Sequence, residues 1–360
     1  MSNPGGLVAR RIGQVASLDT LRGMSALAVC WYHFSGNSLV GAGPIRASGA
    51  YGWLGVEVFF VISGFVIPLA LLRERYSLSN YKTFLLKRIA RLYPPYLASV
   101  AIGFGLLVVH SLYKGYARVD FNGDDLILHL AFLNDFFDKP WLNSIYWSLA
   151  IEMQFYLLAG LLFPLLFSSE AWRRYVAYSA VALPVVVLPG DVFLFHFGCL
   201  FLLGIVTLHY SIGVIRRFEY VTLLTLGLIG VLFVLGLPGV AAGLFAVLAI
   251  LFCDKGFRLL DSVGKISYSL YLLHSSIGSL VLFLLLRFVF AGSDLKKLIA
   301  LSISVLATGG IATLMYYLIE RPAMKSSAGI RYSEKEKLGG DAPGLEMPLV
   351  VKDLVTVNDR

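Results

Sequence analysis

An arginine and a histidine stand inside the first of a long series of apolar, helix-length runs, and that placement constrains the chain more than any other feature. The stretch Ser17–Ser35 reads SLDTLRGMSALAVCWYHFS. Arg22 and His33 are eleven positions apart, and at about 100° per residue eleven steps return to within roughly 20° of the starting azimuth, about 16 Å further along the axis. The two therefore share one helix face. A charge near a bilayer core costs several kcal/mol, so such a residue by default faces a protein interior or a water-filled cavity. The competing reading has Arg22 snorkelling to the headgroups and His33 as a hydrogen-bonded interhelical residue.

Similar runs recur as far as residue 319, and with 58% hydrophobic and 14% charged residues the chain reads as an integral membrane protein. The expected fold is all-α and polytopic. About ten spans fall at roughly 18–36, 51–72, 92–110, 141–167, 171–188, 192–209, 220–236, 238–253, 266–288 and 298–319. They divide the chain into an N-terminal segment 1–16, a membrane domain 17–322 and a mixed-charge tail 323–360 expected to be disordered. No cleavable leader is apparent, so the first helix is expected to stay in the mature protein.

The net charge of +8 is spread between the apolar runs rather than gathered in a basic domain, which argues against a nucleic-acid partner. Lys and Arg instead favour one set of connecting segments by roughly three to one, which predicts both termini on the cytoplasmic side. Cys30, Cys199 and Cys253 have neither disulfide nor metal-ligand spacing, and no metal is expected. The longest outer loop, about 111–140, carries Asp120, Asp124, Asp125, Asp135 and Asp138. It reads either as a cap over an outer vestibule or as a solvated connector.

Polar residues within the spans fall into faces. Glu57, in the second span, needs a partner, and Arg22, Arg46 and His33 are candidates. Arg88 and Arg91 project together on one turn, before Pro94 and Pro95 kink or restart the chain; they suit phosphate binding or positive-inside anchoring. Ser144, Ser148, Glu152 and Tyr156 recur every four residues as one inward stripe, which a transport path or a hydrogen-bond seam would also produce. Ser267, Tyr271 and His274 make another polar face, while Glu320 and Arg321 read as a local pair where Pro322 stops the last span.

In order, these segments resemble the acyltransferase-3 family of membrane O-acyltransferases from about Ser17 to Pro322. The resemblance rests on LDxLRG at Leu18 to Gly23 with Arg22, ten residues and His33; GVxxFFxISGF at Gly55 to Phe65; and Arg88, Arg91 and Pro94. It continues through WSLxxExxFY at Trp147 to Tyr156, GxxSYxxYLxH at Gly264 to His274, and Glu320 to Pro322. Glu57 falls on an unspecified position of its motif.

The resemblance implies ten transmembrane helices, a multi-pass place in the inner (plasma) membrane, and transfer of an acyl group, usually acetyl from acetyl-CoA, to a carbohydrate hydroxyl. It implies leading roles for His33 and Arg22. Some relatives continue into an outer esterase-like domain, and none is expected here. Acyl transfer needs a base for the hydroxyl proton and donors for the developing oxyanion. His33 suits the base, or a first acyl acceptor, with Glu152, Ser148 and Trp147 as further site candidates. Arg22, Arg88 and Arg91 suit the CoA end. The expected partners are acyl-CoA, membrane lipid, and a polysaccharide, lipopolysaccharide or lipid-linked glycan acceptor. A secreted small molecule such as a macrolide sugar is the alternative acceptor, and a non-catalytic transporter or flippase the rival class.

Overall fold

The computed structural model describes residues 15–115, 121–188, 190–253, 255–289 and 292–332. Asp120 and most of the proposed N-terminal segment and tail lie outside these residues. All regular structure among the described residues is helical: α1 (Val15–Ser35), α2 (Pro44–Ser48), α3 (Leu54–Arg73), α4 (Tyr81–Tyr113), α5 (Gly123–Ala131), α6 (Tyr146–Leu166) and α7 (Ala171–Ala182). There follow α8 (Gly198–Ser211), α9 (Arg217–Phe252), α10 (Arg258–Lys265), α11 (Ser267–Leu273), α12 (Ser279–Phe288), α13 (Asp294–Met315) and α14 (Arg321–Gly329). A π turn at His274–Gly278 joins α11 to α12, and another at Tyr316–Glu320 joins α13 to α14.

Among the described residues seven helices are long and apolar enough to cross a membrane, against the ten spans expected. The differences have identifiable causes. α9 covers both the seventh and the eighth expected span: its 36 residues are two helices on either side of a sharp kink at Gly236, whose φ of 71° lies outside the helical region, and Gly227 and Gly243 both meet Leu203, so the count of seven takes these two expected spans as one. α7 has 12 residues, about 18 Å of helix, which is short of a hydrocarbon core of about 30 Å. α1 is long enough but carries Asp19 and Arg22.

Prolines interrupt the helices less than their sequence positions suggest. α4 runs through Pro94 and Pro95 without restarting, and Arg88 and Arg91 sit on the same helix as the third span. In lipid the remaining backbone bonds have no water to compete for them, so a helix survives the loss of two. Likewise Pro322 does not stop the last helix. The π turn before it shifts the backbone register, and α14 continues to Gly329, so the start of the expected disordered tail is helical.

Close glycine contacts set the helix positions. A methyl group on Gly23 would lie 2.2 Å from the Leu260 carbonyl oxygen, and one on Gly264 would lie 1.9 Å from that of Asp19. α1 and α10 therefore touch backbone to backbone. Gly55 meets the Ser25 carbonyl in the same way, which fixes α3 against α1. The buried apolar side chains form two clusters, one around Phe60, Phe155 and Phe201, the other around Cys30, Phe34 and Leu273. Val56, Phe59 and Met153 pack against both, and the polar faces meet along this seam.

Candidate active site

Four cavities lie in a row along the seam, each sharing lining residues with the next. At one end Arg22, Arg88, Arg91, Glu152, Tyr156 and Glu320 line a space of about 570 Å³. Arg22, Ser63 and Glu152 also line the second, of about 560 Å³, which reaches Ser148 and Tyr271. Tyr271 and Val56 continue into the third, of about 1050 Å³, with His33, Glu57 and Trp147. Trp147 and Ser144 pass into the fourth, of about 1300 Å³, with Asp135, Asp138 and Asp191. The stripe on α6 and its approach therefore spans the whole row, with Ser144 at one end and Tyr156 at the other.

Each side chain is held by a neighbour on another helix. Arg22 donates from Nε to the Ser267 hydroxyl at 3.3 Å, a contact made possible by the glycine packing of α1 on α10 just before α11 begins. One carboxylate oxygen of Glu152 accepts from the hydroxyls of Tyr156 at 2.6 Å and Ser63 at 3.2 Å. Glu320 is buried and accepts from the backbone N–H of Ser269 at 3.2 Å and its hydroxyl at 2.5 Å. Arg321 lies over the Tyr317 ring instead, so the expected local pair does not form. The Arg88 guanidinium sits over the rings of Phe84 and Tyr156, 5.3 and 5.4 Å from their centroids. Neither Arg88 nor Arg91 enters an ion pair with a described residue.

The junction of the second and third cavities is closed by hydroxyls. Ser148 and Tyr271 share a hydrogen bond of 2.6 Å, and both also reach the Ile145 carbonyl, at 3.0 and 3.2 Å. Beyond this junction the rings of His33 and His274 lie with centroids 5.0 Å apart, tilted by 51°. The fully buried His274 bonds through Nδ1 to the Tyr271 carbonyl at 2.5 Å, and its Nε2 has no partner. The π turn that starts at His274 widens the backbone at this point.

The fourth cavity is framed by the expected outer loop. Asn122 and Asp125 cap α5 reciprocally. His129 on α5 receives the Leu142 N–H at 2.8 Å through Nε2 and donates from Nδ1 to the Asp125 carbonyl at 2.7 Å, which ties the loop to the approach of α6. Burial holds the His129 imidazole below its ordinary pKa. Burial likewise pushes the Asp135 carboxyl up, against the opposing indole N–H of Trp141.

Of the site residues read from sequence, Arg22, Ser148 and Glu152 share one cavity, and Arg88 and Arg91 share the next with Arg22 and Glu152. His33 and Trp147 share the third. The site candidates Glu152 and Ser148 line the second cavity, and His33 lines the third. Tyr271 lines the third as well, and the buried His274 packs against the His33 ring. Their helical face was visible in the sequence, but which helix it meets was not, and Asp191 sits in no motif at all.

Three comparisons bear on this arrangement. The profile of the acyltransferase-3 family, described as an acyltransferase domain, matches residues 15–319. A stretch of 158 residues, 40% of this chain and 23% of the relative, is 31% identical to the peptidoglycan O-acetyltransferase OatA of Listeria monocytogenes serovar 1/2a. Another of 152 residues, 39% of this chain and 23% of the relative, is 32% identical to the O-acetyltransferase OatA of Staphylococcus aureus strain NCTC 8325 / PS 47. The matched region thus spans under a quarter of the length of these curated relatives. No solved structure matches the chain. With a family profile covering most of its length and the family's ordered motifs lining one row of cavities, the chain belongs to the acyltransferase-3 family.

Proposed function

We propose that this membrane protein is an O-acyltransferase of the inner (plasma) membrane. It takes an acyl group, acetyl in the first instance, from cytoplasmic acyl-CoA and places it on a hydroxyl of a cell-surface polysaccharide, lipopolysaccharide or lipid-linked glycan. The observation that carries the reading is the row of cavities with arginines at one end and His33 beyond the Ser148–Tyr271 junction. The names of the relatives point the same way, to O-acetyl transfer.

Acyl-CoA is a co-substrate with an anionic nucleotide end and an uncharged thioester tip. Arg88, Arg91 and Arg22 fit the phosphates, since planar guanidinium groups suit phosphate oxygens and neither Arg88 nor Arg91 is held in an ion pair with a described residue. His33 removes the proton from the acceptor hydroxyl; the alkoxide oxygen forms a bond to the acyl carbon, the carbon–sulfur bond breaks, and the thiolate leaves with a proton. The tetrahedral oxyanion needs a donor, and the Tyr271 and Ser148 hydroxyls lie nearest the junction. A relay through acyl-His33 uses the same residues in two steps.

The deciding experiment compares, by mass spectrometry, the ester-linked acetyl content of surface glycans from a deletion strain complemented with the intact chain or with His33→Ala. Loss of acetyl esters with the variant, at equal membrane abundance, is the expected result. Unchanged ester content would leave a transport role as the better account.

A further inference from the structure

The end of the row beyond His33 carries a charge pattern that the acyl-transfer reading does not use. Glu57 is 3% exposed, lines the third cavity together with His33, and has a carboxylate oxygen, Oε2, with no hydrogen-bond partner. None of the three partners read from sequence, Arg22, Arg46 or His33, is hydrogen-bonded to it. Its position is rigid, because Gly52 and Gly55 on the same helix end press against the carbonyls of Ala28 and Ser25 on α1, the helix that bears His33. A buried carboxylate in a cavity wall without a donor is costly unless something that enters the cavity supplies one.

The surroundings say what that something is. Trp53, one turn before Glu57, and Trp147 line the same cavity, and Trp141 lines the adjoining one. Flat aromatic faces beside carboxylates match a ring with C–H faces and hydroxyl edges, as a pyranose has. Asp135, Asp138 and Asp191 continue the acidic lining outward, and the basic groups facing them are Lys139, His33 and His196. Four carboxylates against one ammonium and two imidazoles disfavour an anion, since like-charge juxtaposition in a recognition site is strongly penalised.

Building on the O-acyltransferase reading, we infer that Glu57 binds the acceptor by taking a hydrogen bond from a sugar hydroxyl, and that this cavity selects neutral or amino sugars over acidic ones. Glu57 is then a specificity residue on an otherwise unspecified motif position, set apart from the bond-making groups.

The test measures quenching of tryptophan fluorescence in the full-length chain in lipid nanodiscs, using three β-1,4-linked tetrasaccharides: cellotetraose, the glucosamine tetramer and the glucuronate tetramer. The first two are expected to bind at least tenfold more tightly than the third, and Glu57→Gln to shrink that gap several-fold. A glucuronate tetramer that binds as tightly as cellotetraose, failure of all three to bind, or a folded Glu57→Gln variant with an unaltered gap each overturns the inference. Should Glu57→Gln fail to fold, the three wild-type affinities still decide. Acetyl-ester content of surface glycans, measured in parallel with wild type and His33→Ala, separates failure of this selectivity from failure of the acyl-transfer reading.

Discussion

At the scale of single residues, the Arg22–Ser267 bond ties a charge to a fixed direction. Lysine at position 22 keeps the charge but loses the Nε donor and the planar fork. Hydrogen bonds to charged groups contribute about 1.5–3 kcal/mol, so Arg22→Lys is expected to raise the KM for acyl-CoA about tenfold or more in a membrane-vesicle transfer assay. An unchanged KM would remove Arg22 from donor binding. The sequence made Arg22 and His33 legible because helical periodicity assigns residues to faces. It could not pair those faces: Glu152 belongs to the arginine end and His274 to the histidine end because of how α6 and α11 rotate against α1, and rotation leaves no trace in spacing.

At the scale of elements, backbone contact between α1 and α10 is what presents Ser267 to Arg22. Valine at position 264 would drive its Cβ into the Asp19 carbonyl, whereas Gly309 on α13 has open space around it. Gly264→Val is expected to destabilise the detergent-solubilised protein by more than about 2 kcal/mol, read as a lowered Tm, while Gly309→Ala changes it by under about 1 kcal/mol. Equal effects would mean that the contact is not tight. α5 gives a pH-dependent case. Its His129 stays neutral below the ordinary imidazole pKa when folded, so the unfolded segment binds the extra proton, and stability falls as pH drops below about 6.5. The protection factors of amides in residues 121–142, taken relative to the intrinsic exchange rate at each pH, are expected to be lower at pH 5 than at pH 7.5, and His129→Gln to lose that difference. That the chain is built of long apolar helices was readable from its apolar runs, but their exact number and the continuation through Pro94, Pro95 and Pro322 were not. Proline rules come from helices in water, where freed backbone groups find other partners.

At the scale of the whole molecule, the row of cavities has three arginines with two carboxylates at one end and four carboxylates with a single lysine at the other. Arg88→Ala combined with Arg91→Ala is expected to weaken acyl-CoA binding at least tenfold and to flatten its dependence on salt, measured by isothermal titration in nanodiscs. Full affinity in the double variant would place the donor elsewhere. The sequence carried this polarity only in part: the basic end follows from a compact motif, while the acidic end is assembled from Glu57, the loop after α5 and Asp191, which lie far apart in the chain.

The hydroxyl pair of Ser148 and Tyr271 has a further consequence for the cell's energy economy. A membrane that stores a proton gradient loses it through any continuous water column, and each elementary charge crossing 100 mV dissipates about 2.3 kcal/mol. The 2.6 Å bond between these two hydroxyls stands where the second cavity meets the third, so it is the point in the row at which a water column would be interrupted. Liposomes holding Tyr271→Ala should discharge an imposed pH difference faster than liposomes holding the unaltered chain.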